Sequence, residues 1–181
     1  MAALDPLGHA ILAAALAVLW GHAAFVKLRD PDRLEGAVAD YRLLPAAFAR
    51  PVSRLLPIAE LAIAAGFVLS STRPVAAFAS AALLVAYPAA IGANLPRGRR
   101  AIDCGCGGVP RPLHPWLVGR NLAFAGASLA RLAPVGARAH GGLDALTAAM
   151  ALLAAIGLHA TLEQWLHNRQ RMLGATPLRE D

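Results

Sequence analysis

Charged residues are scarce in this chain, and their scarcity excludes most soluble folds. Only 15% of the 181 residues are Asp, Glu, Lys or Arg, whereas a typical soluble domain carries about 25%. Hydrophobic residues make up 57% of the chain and fall into runs of helix length between clusters of arginine and proline. The composition indicates an integral membrane protein with a single membrane domain over 1–181, and we expect no nucleic-acid partner.

Cysteine is nearly absent, since the chain has only Cys104 and Cys106. Structural zinc sites usually need four ligands with wider spacing such as Cys-x2-Cys, and one Cys-x-Cys pair with His114 falls short of that set. Iron–sulfur clusters lack enough cysteine ligands for the same reason. We therefore expect no metal site. A single pair of thiols also leaves the chain without a second relay across the membrane.

Five apolar runs are long enough, or nearly so, for the roughly 20 residues that cross a bilayer. The first does not resemble a signal peptide, because MAALDPLGHA carries an acid and no Lys or Arg. Spanning segments must satisfy their own backbone groups, which favours helices. The sequence predicts an all-α membrane protein, a four- to five-helix transmembrane bundle with a polar tail at 168–181. The predicted spans are 7–28, 52–69, 75–95, 115–132 and 143–166.

The segment between the first two runs, RDPDRLEGAVADYRLLP, is too charged to cross the membrane. The Asp30–Pro31 pair is a typical helix start. Spacings of three and four between apolar residues predict an amphipathic helix lying along the interface. Such a helix would cover a site between the spans, and an ordinary solvated helix is the alternative. The apolar residues in question are Leu34, Val38, Tyr41 and Leu44.

Two ionisable residues lie inside predicted spans, Glu60 in the second and Arg120 in the fourth. A charge near the bilayer centre costs about 2.5–3.5 kcal/mol, so such groups should face the bundle interior. We predict a Glu60–Arg120 pair with Asn121 nearby; the alternative is that each side chain reaches an interface separately. Together with Tyr87, these residues are the candidate cofactor-binding residues, and a quinone is the candidate cofactor.

The two cysteines lie in the loop AIDCGCGG, before the fourth run. Thiol–disulfide exchange needs an accessible thiolate and a second cysteine that resolves the mixed disulfide, and Cys104 and Cys106 supply both. Cys104 follows an arginine run, so we expect it to be the exposed thiol that meets a partner, with Cys106 as the resolving thiol. A structural disulfide that braces the loop is the alternative.

Several short motifs spread over about three quarters of the chain make its sequence similar to the MauE family. Members of this family are integral membrane proteins, related to DoxX, that are associated with methylamine utilisation. The cysteine loop is the most diagnostic of these motifs. They are KLRDP at 27–31, YRLLP at 41–45, LPIAELAIAAG at 56–66, NLPRGRRAIDCGCGG at 94–108 and GRN at 119–121.

The resemblance implies a role in maturing the disulfide-rich small subunit of methylamine dehydrogenase outside the cytoplasm, with a membrane-anchored thioredoxin-like partner of the MauD type. It also implies kinship in architecture with helix bundles of the vitamin K epoxide reductase type. We therefore expect a thiol–disulfide oxidoreductase in the bacterial inner membrane, with Cys104 and Cys106 as its catalytic residues. The alternative is a non-enzymatic membrane scaffold or transport component with a structural Cys-x-Cys loop.

Two general rules give opposite predictions for the side of the membrane on which the cysteine loop lies. Most Lys and Arg residues lie in the loops on the same side as the cysteine loop, and the positive-inside rule would place that side in the cytoplasm. Disulfides, however, persist in the periplasm, where the clients implied by the resemblance are found. We expect a periplasmic cysteine loop.

Overall fold

The computed structural model describes residues 4–98, 102–105, 113–137 and 141–174. No strand forms in these ranges, and one isolated bridge joins Leu4 to Val135. Short 3-10 turns precede the second and third long helices, at Ala46–Phe48 and Ser70–Thr72. The predicted all-α fold is confirmed. The helices are α1 (Pro6–Arg29), α2 (Pro31–Asp40), α3 (Ala49–Val68), α4 (Arg73–Asn94), α5 (Pro115–Ala130) and α6 (Gly142–Gly174).

Three helices begin in the same way, with a side-chain acceptor followed by proline. The Asp5 carboxylate accepts the N–H two residues on at 2.8 Å, and the Asp30 carboxylate accepts the N–H three residues on at 3.1 Å. His114 Nδ1 accepts the N–H two residues on at 3.1 Å. Proline suits the next position because it has no N–H to satisfy and its φ is already helical. The predicted helix start after Asp30–Pro31 is confirmed.

Contacts divide the chain into two compact units, Met1–Ala139 and His140–Asp181. In the first unit α1 packs along α3, α4 packs along α5, and α3 also contacts α4. The short helix α2 lies against α3. The described part of the second unit is α6, which exposes large apolar side chains such as Leu143 and Leu153. That the whole chain forms a single domain stays a prediction.

Four helices in the described ranges are long and apolar enough to cross a bilayer, so the chain is a multi-pass membrane protein. The fourth predicted span, 115–132, forms α5, whose 16 residues extend about 24 Å. That length falls short of a hydrocarbon core about 30 Å thick. The four spanning helices are Pro6–Arg29, Ala46–Val68, Arg73–Asn94 and Gly142–Leu162.

A chain of hydrogen bonds crosses the interior of the first unit. Trp20 Nε1 donates to Ser80 Oγ at 2.8 Å, and Ser80 Oγ lies 2.7 Å from Ser128 Oγ. Ser128 Oγ donates in turn to the Phe124 carbonyl at 2.9 Å. Ser80 and Ser128 are fully buried, and a buried polar group left without a partner costs about 1–3 kcal/mol. The chain of bonds therefore fixes α1, α4 and α5 relative to one another.

Candidate functional site

The described part of the cysteine loop, residues 102–105, forms a tight turn around Cys104. The Asp103 carboxylate accepts the Gly105 N–H at 3.3 Å. Gly105 has a φ of +67°, a left-handed conformation that glycine adopts without steric cost. A Cβ at Gly105 would also lie 3.6 Å from Ala37 Cβ and 3.7 Å from Leu34 Cδ1. The turn is therefore packed directly against α2.

One face of α2 holds the cysteine loop. Arg33 donates from Nε and Nη2 to Asp103 Oδ2, at 2.8 and 2.6 Å, and this ion pair is half-buried. Tyr41, which follows α2, donates from its hydroxyl to the Cys104 carbonyl at 3.4 Å. Charge-assisted hydrogen bonds are the stronger class, so the ion pair is the main polar tie. The predicted helix therefore holds the described part of the cysteine loop.

Cys104 itself is buried, with 8% of its surface exposed. It packs with Ile91 in the last turn of α4, Leu113 just before α5 and Leu117 in the first turn of α5. The expectation that Cys104 is the exposed thiol is therefore wrong, because the turn against α2 directs it into the protein. Cys106 lies outside the described residues.

A cavity of about 170 Å³ lies beside Cys104 at this end of the bundle. Most of its walls are aliphatic and come from α2, the segment after it, α3 and α4. Cys104 and Gly105 form one part of the wall, and Lys27 and Tyr87 form another. The aliphatic lining residues are Leu34, Ala37, Val38, Leu43, Leu44, Val52, Leu56, Ala90 and Ile91.

A buried ion pair stands at the cavity. Lys27 Nζ lies 2.6 Å from Glu60 Oε1, and the two side chains are 5% and 0% exposed. Tyr87 donates from its hydroxyl to the same carboxylate oxygen at 2.5 Å. The Lys27 ammonium also lies 5.5 Å from the centre of the Tyr87 ring, within the range of a cation–π contact. Three helices, α1, α3 and α4, each contribute one residue to this cluster.

The predicted Glu60–Arg120 pair is wrong, because the carboxylate of Glu60 forms its ion pair with Lys27. Arg120 lies on α5 and is not among the described residues that line the cavity. Asn121 is buried and donates to the Leu117 carbonyl of its own helix at 2.7 Å. Of the four candidate cofactor-binding residues, Glu60 and Tyr87 are joined by a hydrogen bond.

Lys27 was missed because its position at the end of an apolar run is typical of a boundary charge. The signal that identifies it is helical spacing: Leu16, Trp20 and Ala24 are buried residues on one face of α1, and Lys27 follows Ala24 on that face by three positions. A lysine on a buried stripe needs an acid in the interior, and Glu60 was the acid available in the neighbouring span.

Comparison with known proteins identifies the family of the chain. The family model described as "Methylamine utilisation protein MauE" matches residues 6–134. The chain belongs to the MauE family. The matched residues include α1 to α5, the cysteine loop and every residue of the ion-pair cluster. The family is involved in methylamine utilisation.

Curated MauE proteins align with most of the chain. The chain is 36% identical to methylamine utilization protein MauE of Paracoccus versutus, over 97% of this chain and 91% of that protein. It is 43% identical to the Methylorubrum extorquens protein of the same name, over 72% and 73%. The Paracoccus denitrificans protein of that name is 42% identical over 64% of this chain and 63% of its own length. No solved structure matches the chain significantly.

Proposed function

We propose that the chain is a membrane thiol–disulfide exchange protein of methylamine utilisation. In this proposal Cys104 and Cys106 exchange with a membrane-anchored thioredoxin-like partner during maturation of a disulfide-rich client protein. The observation that carries the proposal is the position of Cys104, which forms part of a cavity wall and lies in a turn held by α2. A loop disulfide with a bracing role alone needs no cavity beside its sulfur.

The burial of Cys104 favours one order of events over the other. A thiol that exchanges with another protein must be reached in line with its sulfur. Cys104 is 8% exposed, so we assign the mixed disulfide with the partner to Cys106 and its resolution to Cys104.

The exchange balances without any further reactant. A partner thiolate attacks Cys106 Sγ of the loop disulfide, the partner–Cys106 bond forms, and the Cys104 thiolate leaves. The partner's second thiolate then attacks the partner sulfur of the mixed disulfide, forms the partner's disulfide and releases the Cys106 thiolate. Two electrons pass from the partner to the loop. In the reverse direction the Cys106 thiolate attacks the partner's disulfide and the Cys104 thiolate resolves the mixed disulfide, which returns the electrons when the reduction potentials favour it.

We place the cysteine loop on the periplasmic side of the bacterial inner membrane. Disulfides persist in that compartment, and the proposed client is found there. The arginines that oppose this orientation include Arg33 and Arg50, and both are paired with acids, Asp103 and Glu35. Their conformations are compatible with a role in holding the loop and α2.

Trapping the mixed disulfide tests both function and side. In cells that export a thioredoxin-like partner with its second cysteine replaced, brief treatment with the thiol oxidant diamide supplies the oxidant that couples two free thiols. Cys104→Ala should then accumulate a covalent adduct on non-reducing gels, because no second thiol remains in either protein to break the mixed disulfide. Cys106→Ala is the matched control and should give little adduct. The same partner retained in the cytoplasm should give none.

The contrary results are equally clear. Adducts with the cytoplasmic partner alone would contradict the periplasmic side. Absence of adducts in both variants, with client maturation intact in the double variant, would favour a scaffold or transport component with a structural Cys-x-Cys loop.

A further inference from the structure

We propose that the cavity beside Cys104 binds the ring of a membrane quinone, with Lys27 as the residue that donates to a quinone carbonyl. The inference rests on the proposed function and extends it by naming the electron acceptor of the loop. It depends on the size of the cavity, the charge of its polar wall and the position of the thiol.

The size of the cavity suits one six-membered ring. Its volume is about 170 Å³, and an apolar cavity of about 150 Å³ in a protein core takes up benzene. The cavity is also partly open. Leu43 and Leu44, which line it, are 40% and 50% exposed, so a hydrocarbon tail attached to the ring has an apolar exit.

The polar wall selects an uncharged ligand with an acceptor oxygen. Lys27 and Glu60 neutralise each other, so the cavity has no net charge with which to attract an anion. An ammonium group has three N–H donors, and the hydrogen bond from Lys27 to Glu60 Oε1 uses one of them. A carbonyl oxygen in the cavity would accept another.

The ion pair is itself evidence of a ligand site. Apolar residues of similar volume often replace a buried ion pair without loss of stability, and ionisable residues among membrane helices mark functional positions by default. Lys27 lines the cavity, and the aromatic ring of Tyr87 lines it beside the ammonium. An aromatic wall next to a donor suits a flat ring that carries oxygen atoms.

The thiol in the cavity wall favours a ring that can accept electrons. Starting from the dithiol form of the loop, Cys104 and Cys106 lose two electrons and two protons as their S–S bond forms. A quinone bound in the cavity gains both and leaves as a quinol into the bilayer. This reaction would reoxidise the loop in a chain with one cysteine pair, where no second pair is available to receive the electrons.

Binding is measured without thiols. The protein for this measurement is Cys104→Ala/Cys106→Ala, reconstituted in nanodiscs, with Trp116 and Trp165 replaced by Phe. The fluorescence of Trp20 then reports ligand binding, because its ring lies 6.3 Å from the ring of Tyr87, which lines the cavity. Decylubiquinone should quench it saturably. n-Decylbenzene, which has a ring and tail but no carbonyl, should compete poorly; equal competition would overturn the proposal in favour of an unselective lipid site.

A pair of neighbouring alanines locates the site. Ala90 lines the cavity and the adjacent Ala89 is exposed. Ala90→Phe fills the cavity and should weaken decylubiquinone binding at least about tenfold, whereas Ala89→Phe should leave it unchanged. Equal affinities in the two variants would overturn the location.

The role of Lys27 is tested in a double variant that leaves no isolated charge. Lys27→Met/Glu60→Gln keeps an acceptor for Tyr87 and should lose the preference for decylubiquinone over n-decylbenzene. A retained preference would overturn the role of Lys27.

Thiol oxidation is then measured in the protein with both cysteines. After reduction and removal of the reductant, decylubiquinone should oxidise the pair with one quinol formed per pair. Binding without oxidation would overturn the redox role. Because the binding measurements use no thiol, failure of partner trapping would reject the proposed function and leave the ligand site standing.

Discussion

The two ends of the helix bundle in the first unit contrast in how they use polar residues and space. We call the end with the start of α1, the end of α3, the start of α4 and the end of α5 the closed end, and the opposite end the cysteine end. At the closed end His9 and Arg131 bind each other's backbone carbonyls, and helices touch. At the cysteine end the side chains of Lys27, Glu60 and Tyr87 bind each other beside a cavity.

The closed end is held by short-range packing. His9 Nε2 lies 3.0 Å from the Arg131 carbonyl, and Arg131 Nη1 donates to the His9 carbonyl, so the two residues join α1 to α5 reciprocally. Gly66 of α3 meets Ala76 of α4 so closely that a Cβ on the glycine would lie 2.8 Å from the alanine Cβ. Small residues allow this approach between membrane helices.

The cysteine end keeps features that cost stability. It buries Lys27 and Glu60, leaves a cavity of about 170 Å³, and places Cys104 on its wall. Buried ion pairs and voids both reduce stability relative to apolar packing. The difference teaches that the buried ion pair, the cavity and Cys104 are gathered at one end of the bundle, while the other end joins its helices by direct packing.

The largest expected effect comes from splitting the buried ion pair. Lys27→Met and Glu60→Gln should each lower the free energy of unfolding by about 3–5 kcal/mol, because each leaves one buried charge without its counter-charge. The double variant has no isolated charge and should recover most of that loss. Denaturant titration in detergent, followed by circular dichroism, measures all three. Losses that simply add in the double variant would contradict the pair.

An intermediate effect is expected at the closed end. Gly66→Ala adds a Cβ against Ala76 Cβ, which is fixed to its backbone, and should cost about 1–3 kcal/mol. Gly92→Ala is the matched control, since a Cβ there meets nothing within 4 Å. It should be neutral or gain up to about 1 kcal/mol. The same unfolding titration compares them, and equal stabilities would show that the closed end is not tightly packed.

The smallest expected effect on stability comes from the two ion pairs that involve α2, Arg33–Asp103 and Arg50–Glu35. Arg33→Gln frees the cysteine loop, so maleimide labelling of Cys104, in a Cys106→Ala protein, should accelerate about tenfold. Arg50→Gln removes the ion pair with Glu35; the Arg50 side chain is 65% exposed and the Glu35 side chain 36% exposed. It should change stability by less than about 1 kcal/mol and leave labelling unchanged. Similar labelling rates in the two variants would mean that Arg33 does not hold the loop.

Much of the fold was predictable because it depends on local rules. Runs of apolar residues predicted the helices, and Asp30–Pro31 predicted the start of α2. The motif at 101–108 predicted the family, which the match over 6–134 confirms. The length of α5 was harder to predict. Its apolar run extends to residue 132, but the helix ends at Ala130 and is short for a bilayer.

The sequence by itself determined that the chain crosses the membrane as helices, that it belongs to the MauE family and that its redox candidates lie in one loop. Only the tertiary structure decided the partner of Glu60 and the burial of Cys104. Partner choice depends on which helices pack together, and α3 packs along α1, which carries Lys27, whereas α5 packs along α4. Burial of the thiol depends on the turn packed against α2, a contact between residues about 70 positions apart in the chain. Hydrophobic pattern and local propensity specify neither contact, because both are set by the arrangement of whole helices.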